Sequence, residues 1–269
     1  MATVEQTLID HLKKMPPLNA ALQNTLTLLN AQTSDYKKIS SAILQDPVLT
    51  GRVLQIANSS FYGSQRRVTD LNIACTMLGM ETLRGLVYTL ILLTKFRTGP
   101  EHSVIDYNNL WKYCLRVACL VKTLAKEQKL DSSIAFTTGL FHCMDLIIQD
   151  YFYRETLMQR IATQSGTINS SSTLIATIID TEHWNLIAIL LEFWKFPPTI
   201  VDVFKKDNST QAQQYHERII ECTSFIKKIA NVEISSLPTE SDNMVEMKLI
   251  SLIPTSDLLY VELEALLFH

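Results

Sequence analysis

The chain reads as all-α. Its 269 residues include only seven glycines and eight prolines, too few for the tight turns of a strand-rich fold. Apolar side chains return every three or four residues along most of the length. Helix-opening Asp, Thr and Pro and helix-closing Gly and Pro punctuate those runs.

A first helix opens near Thr3–Glu5 and stops at MPPL, 15–18. A second covers about 19–30, with Leu22, Leu26 and Leu29 at helical spacing, and a third covers 36–44. Asp46 as N-cap and Pro47 at the first helical position start a fourth, because proline lacks only an N–H that would be unpaired there anyway. That helix breaks at Asn58-Ser59-Ser60. Thr69 is placed as the cap of a fifth, which carries Ile73, Ala74, Met77 and Leu78 and ends at Gly79, a suitable left-handed terminus. A sixth covers 80–96. Arg97-Thr98-Gly99-Pro100 is the best boundary in the chain, dividing an N-terminal lobe, 1–100, from a C-terminal lobe, 101–269. The second half is predicted as helices over 110–130, 132–152 and about 154–165, then two helical segments or one bent helix over 174–196, ended by Pro197-Pro198. Three more follow over 211–230, 242–253 and 256–268.

Apolar residues make up 47% and charged ones 19%, which is globular rather than disordered. A net charge of −3 argues against a surface built for phosphate backbones. Five cysteines, at 75, 114, 119, 143 and 222, form no C-x-x-C pair, so reduced, buried thiols in a cytoplasm are expected. The start MATVEQTLIDHLKK is amphipathic and contains acids, unlike a signal peptide. The most apolar run, LVYTLILL, is about ten residues shorter than a bilayer span. A cytoplasmic protein away from membranes is expected.

Few residues have the chemistry of an active site. A helix–break–helix reading of 47–79 as a DNA reader fails. Its connection is about ten residues long, and the helix after it offers almost nothing basic, with Arg66-Arg67 in the loop as the only cluster. His142, Asp145 and His183 are weak candidates for a single metal ion, and a metal-assisted hydrolase needs more converging ligands. Both histidines are read as packed in the core. His11, His102, His216 and His269 sit at polar or terminal positions. Cys143 follows His142 directly, and adjacent helical residues point about 100° apart, so the imidazole is not expected to reach the sulfur. G-x-S-x-G and phosphate-loop motifs are absent.

Three stretches of the first half, DPVLTGRVLQIANSSFYG, VTDLNIACTMLG and LRGL, carry a family likeness. Together they resemble the signature of the HDOD domain, a bacterial signalling module related to HD-type metal-dependent phosphohydrolases. The matching positions are Asp46, Pro47, Leu54, Ala57, Asn58, Ser59, Tyr62, Gly63, Ala74, Leu78 and Gly79. LWKYCLRVA, GLFHCMD and EHWNLIAILLEFW resemble the family's later segments, so the likeness spans roughly 15–265.

The resemblance implies a multi-helical, two-lobed fold with an HD-like C-terminal lobe. It also locates departures: Tyr113 stands where the first family histidine belongs, and Cys143 where the Asp of the His-Asp pair belongs. Ile187 replaces a glycine, and Asp207-Asn208 replaces a His-His pair. Asp46, Pro47, Asn58, Ser59, Tyr62, Gly63 and Gly79 are read as architecture. The expectation is therefore a non-catalytic regulatory module without cofactor. It would act on other signalling proteins, such as a sensor kinase, a response regulator or a cyclic-dinucleotide enzyme. The alternatives are a residual HD-type phosphohydrolase using His142, His183 and Asp145, and a nucleotide sensor without turnover.

Overall fold

Aspartate side chains hold the first turn of five helices. Asp35, Asp46, Asp70, Asp106 and Asp131 accept from the backbone N–H of Lys38, Leu49, Ile73, Asn109 and Ile134, at 2.8–3.3 Å. Each satisfies a donor that the helix itself cannot pair. The computed structural model describes residues 4–14, 20–31, 35–58, 62, 67–97, 103–164, 183–205 and 210–229, and the helices follow from those caps.

In chain order they are α1 (Val4–Lys13), α2 (Ala20–Asn30), α3 (Tyr36–Ile43), α4 (Pro47–Ala57), α5 (Leu71–Leu78), α6 (Met80–Arg97) and α7 (Tyr107–Glu127). After them come α8 (Ser132–Phe141), α9 (Met144–Phe152), α10 (Arg154–Gln164), α11 (Trp184–Phe193), the short α12 (Pro198–Val201) with a 3-10 turn at Asp202–Phe204, and α13 (Thr210–Ile229). The described residues contain no strand, as the all-α reading requires. None of the described helices is long and apolar enough to cross a membrane. MPPL, Ser59, Gly63, Arg66, the stretch 98–102, Asp207-Asn208 and the helices expected over 242–253 and 256–268 lie outside the described residues.

Two boundaries are corrected. The cap of α5 is Asp70, not Thr69: the carboxylate reaches the Ile73 N–H at 3.0 Å, while Thr69 stays exposed one residue outside the helix. The helix expected over 132–152 is two helices. His142 closes α8, and Cys143 leaves helical geometry at φ −110° and ψ 10°. The carbonyl of Gly139, the i−4 acceptor that Cys143 N–H would use in a continuous helix, is bonded by the His142 ring at 2.6 Å. A side chain thus competes with the backbone at that joint.

Helix α8 lies at the centre, buried from Ala135 to Phe141 on every side. A helix apolar all round belongs in an interior, and here α6, α7 and α13 cover it. Two glycines set the spacing. A Cβ on Gly139 would stand 2.7 Å from the Ala118 Cα of α7, and one on Gly85 of α6 would stand 2.8 Å from Thr137 of α8. Thr137 then donates to the Glu81 carbonyl at 2.9 Å. One continuous cluster of buried apolar side chains runs from Leu8 to Ile226, across residue 100. Where α2 and α11 end, Asn30 and the Tyr88 hydroxyl both donate to the Trp194 carbonyl, at 3.1 and 2.9 Å.

Candidate functional site

Two places gather polar side chains at helix breaks. The first is the link between α4 and α5. Asn58, just past α4, donates its amide to the carbonyls of Leu54 and Val68 at 2.6 and 2.7 Å, and its oxygen accepts the Val68 N–H at 2.6 Å. The side chain behaves as an extra peptide group that ties both ends of the connection together. Asp46 and Pro47 start α4, with the Thr50 hydroxyl donating to the Ile43 carbonyl at 2.9 Å. Gly79 has φ +79°, and its N–H closes α5 on the Cys75 carbonyl at 3.1 Å. Tyr62 is half-buried, with the Lys122 ammonium of α7 4.2 Å above its ring. Burial holds the Lys122 amine down at about 8. Arg67, the described half of the Arg pair, is exposed.

The second place is the joint of α7, α8 and α9. His142 and Cys143 have no exposed surface. The His142 Nδ1 bonds the Gly139 carbonyl, and its Nε2 lies 2.9 Å from the Cys143 sulfur. The sequence expectation that this imidazole cannot reach that thiol is therefore wrong. It assumed one continuous helix, and the chain leaves the helix between the two residues. Cys114 of α7 completes the cluster: one ligand atom from each of Cys114, His142 and Cys143 lies within 4.8 Å of the others. Burial pushes the His142 imidazole down to about 4, and it pushes the Cys143 thiol well up, helped by Cys114 and Asp145. Tyr113 packs 5.6 Å from the His142 ring, centre to centre, and burial raises its phenol far above the ordinary value.

Of the three candidates for a metal, His142 alone joins this group. Asp145 is fully buried and accepts from Gln149 at 3.2 Å, and Gln149 in turn accepts from Arg160 at 2.5 Å. His183 stands half-buried, one residue before α11. His11 and His216, expected on polar surface, are half-buried against aromatic rings: His11 is stacked on Phe152, and His216 is edge-on to Trp184. Sequence spacing gave no sign of Cys114, which is 29 positions from Cys143. It also missed Asp150, which accepts from Ser103, Val104 N–H and Tyr107 and so anchors the entry to α7.

An HD-type hydrolytic centre uses hard divalent cations held by imidazole and carboxylate, and the described donors do not fit such a pair. The Tyr113 phenol packed against His142 is kept neutral by burial, and the His142 imidazole is bonded to the Cys143 thiol. No hydrolytic step is derived from these residues.

A family model for the HDOD domain matches residues 15–210. A protein of Treponema pallidum described as uncharacterized is 23% identical over 236 residues. The match covers 87% of this chain and 44% of that protein, so the chain spans less than half the relative's length. Among solved structures, an HDOD domain protein of unknown function from Geobacter sulfurreducens is 18% identical with TM-score 0.64, over 98% of both chains. A candidate phosphohydrolase from Shewanella amazonensis is 22% identical with TM-score 0.61, over 95% of this chain and 97% of that one. A candidate signal transduction protein from Marinobacter aquaeolei is 18% identical with TM-score 0.62, over 99% of this chain and 62% of that one. At these identities the solved structures establish the fold.

Proposed function

The chain belongs to the HDOD domain family, and from that premise we propose that it is a bacterial signal-transduction module that works by docking to another signalling protein and not by hydrolysis. The observation that carries this reading is the contact between His142 and Cys143, the residues that the resemblance aligns with the family's His-Asp pair: both are without exposed surface, and they are bonded to each other at 2.9 Å. An activated water needs a cation with an open coordination position and a route for substrate. A thiol locked to the imidazole inside the core offers neither.

What remains is a rigid helical body whose polar residues at the family signature are spent on its own backbone. Such a body is suited to presenting a surface, and a sensor kinase, a response regulator or a cyclic-dinucleotide enzyme is the class of partner proposed. The test is turnover. The purified chain is incubated with Mn2+ or Mg2+ and a panel of phosphodiesters, including cyclic dinucleotides. No release of product above the metal-only control is expected. Metal-dependent turnover that disappears in His142→Ala overturns the reading and makes the chain a phosphohydrolase.

A further inference from the structure

Cys114, His142 and Cys143 come from three separate pieces of chain: the body of α7, the end of α8 and the residue before α9. We propose that they form a closed site for one thiophilic d10 cation, with Zn2+ favoured over Cu+, which pins α7 to the α8–α9 joint. This inference goes beyond the docking role and does not depend on it.

The donors suit the ion. Thiolate and imidazole are the soft and intermediate ligands that zinc and cuprous ions select. With Nδ1–H donating to the Gly139 carbonyl, the His142 ring presents the lone pair of Nε2 to the sulfurs. That arrangement fixes the tautomer of a ligating histidine. The size is also right. Bonds of about 2.3 Å to sulfur and about 2.0 Å to nitrogen place tetrahedral S and N donors about 3.5 Å apart. The three donor atoms lie within 4.8 Å of one another, so binding has to open the 2.9 Å contact between Nε2 and Sγ by several tenths of an ångström and draw the wider separation in by up to about an ångström.

Charge selects between the two ions. Two thiolates neutralise Zn2+, whereas they leave a net negative charge around Cu+, which the apolar core disfavours. Binding replaces the thiol protons: the ion enters, both S–H bonds break, two S–metal bonds and one N–metal bond form, and two protons leave to solvent. No electron is transferred. The Tyr113 hydroxyl, on the residue next to Cys114, is buried and has no hydrogen-bond partner among the described residues. No ligand is more than 1% exposed, so the ion would be shut off from substrate, with a buried water taking the fourth tetrahedral position that three protein donors leave.

The test uses the whole chain, purified under reductant from cells supplied with zinc or, separately, with copper, and metal is counted by mass spectrometry. One metal ion per chain is expected, with zinc retained in preference when both are supplied. Co2+ substitution should give the sulfur-to-metal charge-transfer band of a thiolate site. Cys114→Ser and Cys143→Ser should each lower occupancy at least tenfold and remove the band, and the equally buried Cys75→Ser should change neither. If the serine variants fail to fold, the unmutated protein still decides, because refolding it with Cd2+ must release two protons per ion and produce the ultraviolet absorption of a cadmium–thiolate bond. The proposal is overturned by substoichiometric metal in every preparation, by a band that survives both serine changes, or by a Cys114–Cys143 disulfide in place of bound metal. None of these results bears on phosphodiester turnover, so failure here leaves the docking reading standing.

Discussion

The α4–α5 link and the α7–α8–α9 joint are both helix breaks stocked with polar side chains, and they satisfy those side chains in opposite ways. In the link, Asn58 bonds to backbone atoms of Leu54 and Val68. In the joint, the imidazole of His142 faces a thiol, and two cysteines face each other across helices. A side chain committed to the backbone is part of the scaffold, since removing it exposes peptide groups that cannot move away. Side chains that satisfy one another keep their coordination chemistry, because a cation can replace the protons they share. Asn58 thus serves the backbone of the link, while His142 and Cys143 serve each other at the joint.

The largest effect expected is at the joint, from packing alone. Gly139→Ala places a methyl 2.7 Å from the Ala118 Cα, a backbone atom that cannot rotate aside, so α7 and α8 must separate. Overpacking of this kind should cost about 3 kcal/mol or more in denaturant unfolding. Gly51, in the middle of α4, has nothing within 4 Å of its Cβ position, and Gly51→Ala should stabilise the fold by about 0.5–1 kcal/mol. Equal and small effects of the two changes would mean that the joint is not the tightly packed region.

Asn58→Ala comes next. It removes three hydrogen bonds and takes the Asn58 partner away from the Val68 N–H and carbonyl, while the Leu54 carbonyl keeps the backbone N–H of residue 58, and this should cost about 2 kcal/mol. Asn58→Asp should be no better, since a carboxylate keeps the contact to the Val68 N–H but faces two carbonyls without a proton to give. Hydrogen exchange distinguishes a local from a global role: the Val68 amide should exchange faster in the alanine variant while α8 amides keep their protection. Loosening of α8 to the same extent would show that the two regions form one cooperative unit.

Helix existence was legible because the apolar period and the Asp and Pro starts are local signals. Asp46-Pro47 and the Gly79 stop are examples, and so is the division of the first half into six helices. Less legible were the ends held by lysine. Lys129 and Lys195 adopt φ of +60° and +59°, with the N–H of Leu130 and Phe196 reaching back to the carbonyls of Ala125 and Leu191. That is the helix-ending geometry usually marked by glycine, and no glycine announces it here. The α8–α9 joint was hidden for a related reason. GLFHCMDLII has an unbroken apolar helix pattern, and the interruption coincides with a side-chain-to-backbone bond that the pattern does not encode, the His142 ring on the Gly139 carbonyl three residues back. Asn58 was readable as a helix terminator, but its bonding to Val68, ten residues on, was not. The thiol cluster depends on α7 lying against α8 through Gly139, so no spacing within one segment encodes it.

A smaller effect than that of Asn58→Ala is expected on the seam between the two regions, at Lys122. Its ammonium on α7 sits 4.2 Å over the Tyr62 ring from the link and 5.5 Å over the Phe136 ring of α8. Burial lowers its folded pKa to about 8, against an unfolded value near 10.5. Between those values the unfolded chain binds more protons than the folded one, so stability rises with pH across the window, and below pH 8 the whole penalty is present. Lys122→Met keeps the stem and removes the charge. At pH 7 the variant should therefore be more stable by about 1–2 kcal/mol, less than the roughly 3 kcal/mol that the shift alone implies, because the cation is attracted to both rings. The advantage should shrink toward zero by pH 10.5, and the difference between the two melting curves isolates Lys122 from the thiols and phenols that titrate in both proteins. A variant less stable than the parent at pH 7 would mean that the ammonium over Tyr62 contributes more than its burial costs. The seam would then be held by that cation, and the link would be coupled to the joint through charge rather than through the apolar core they share.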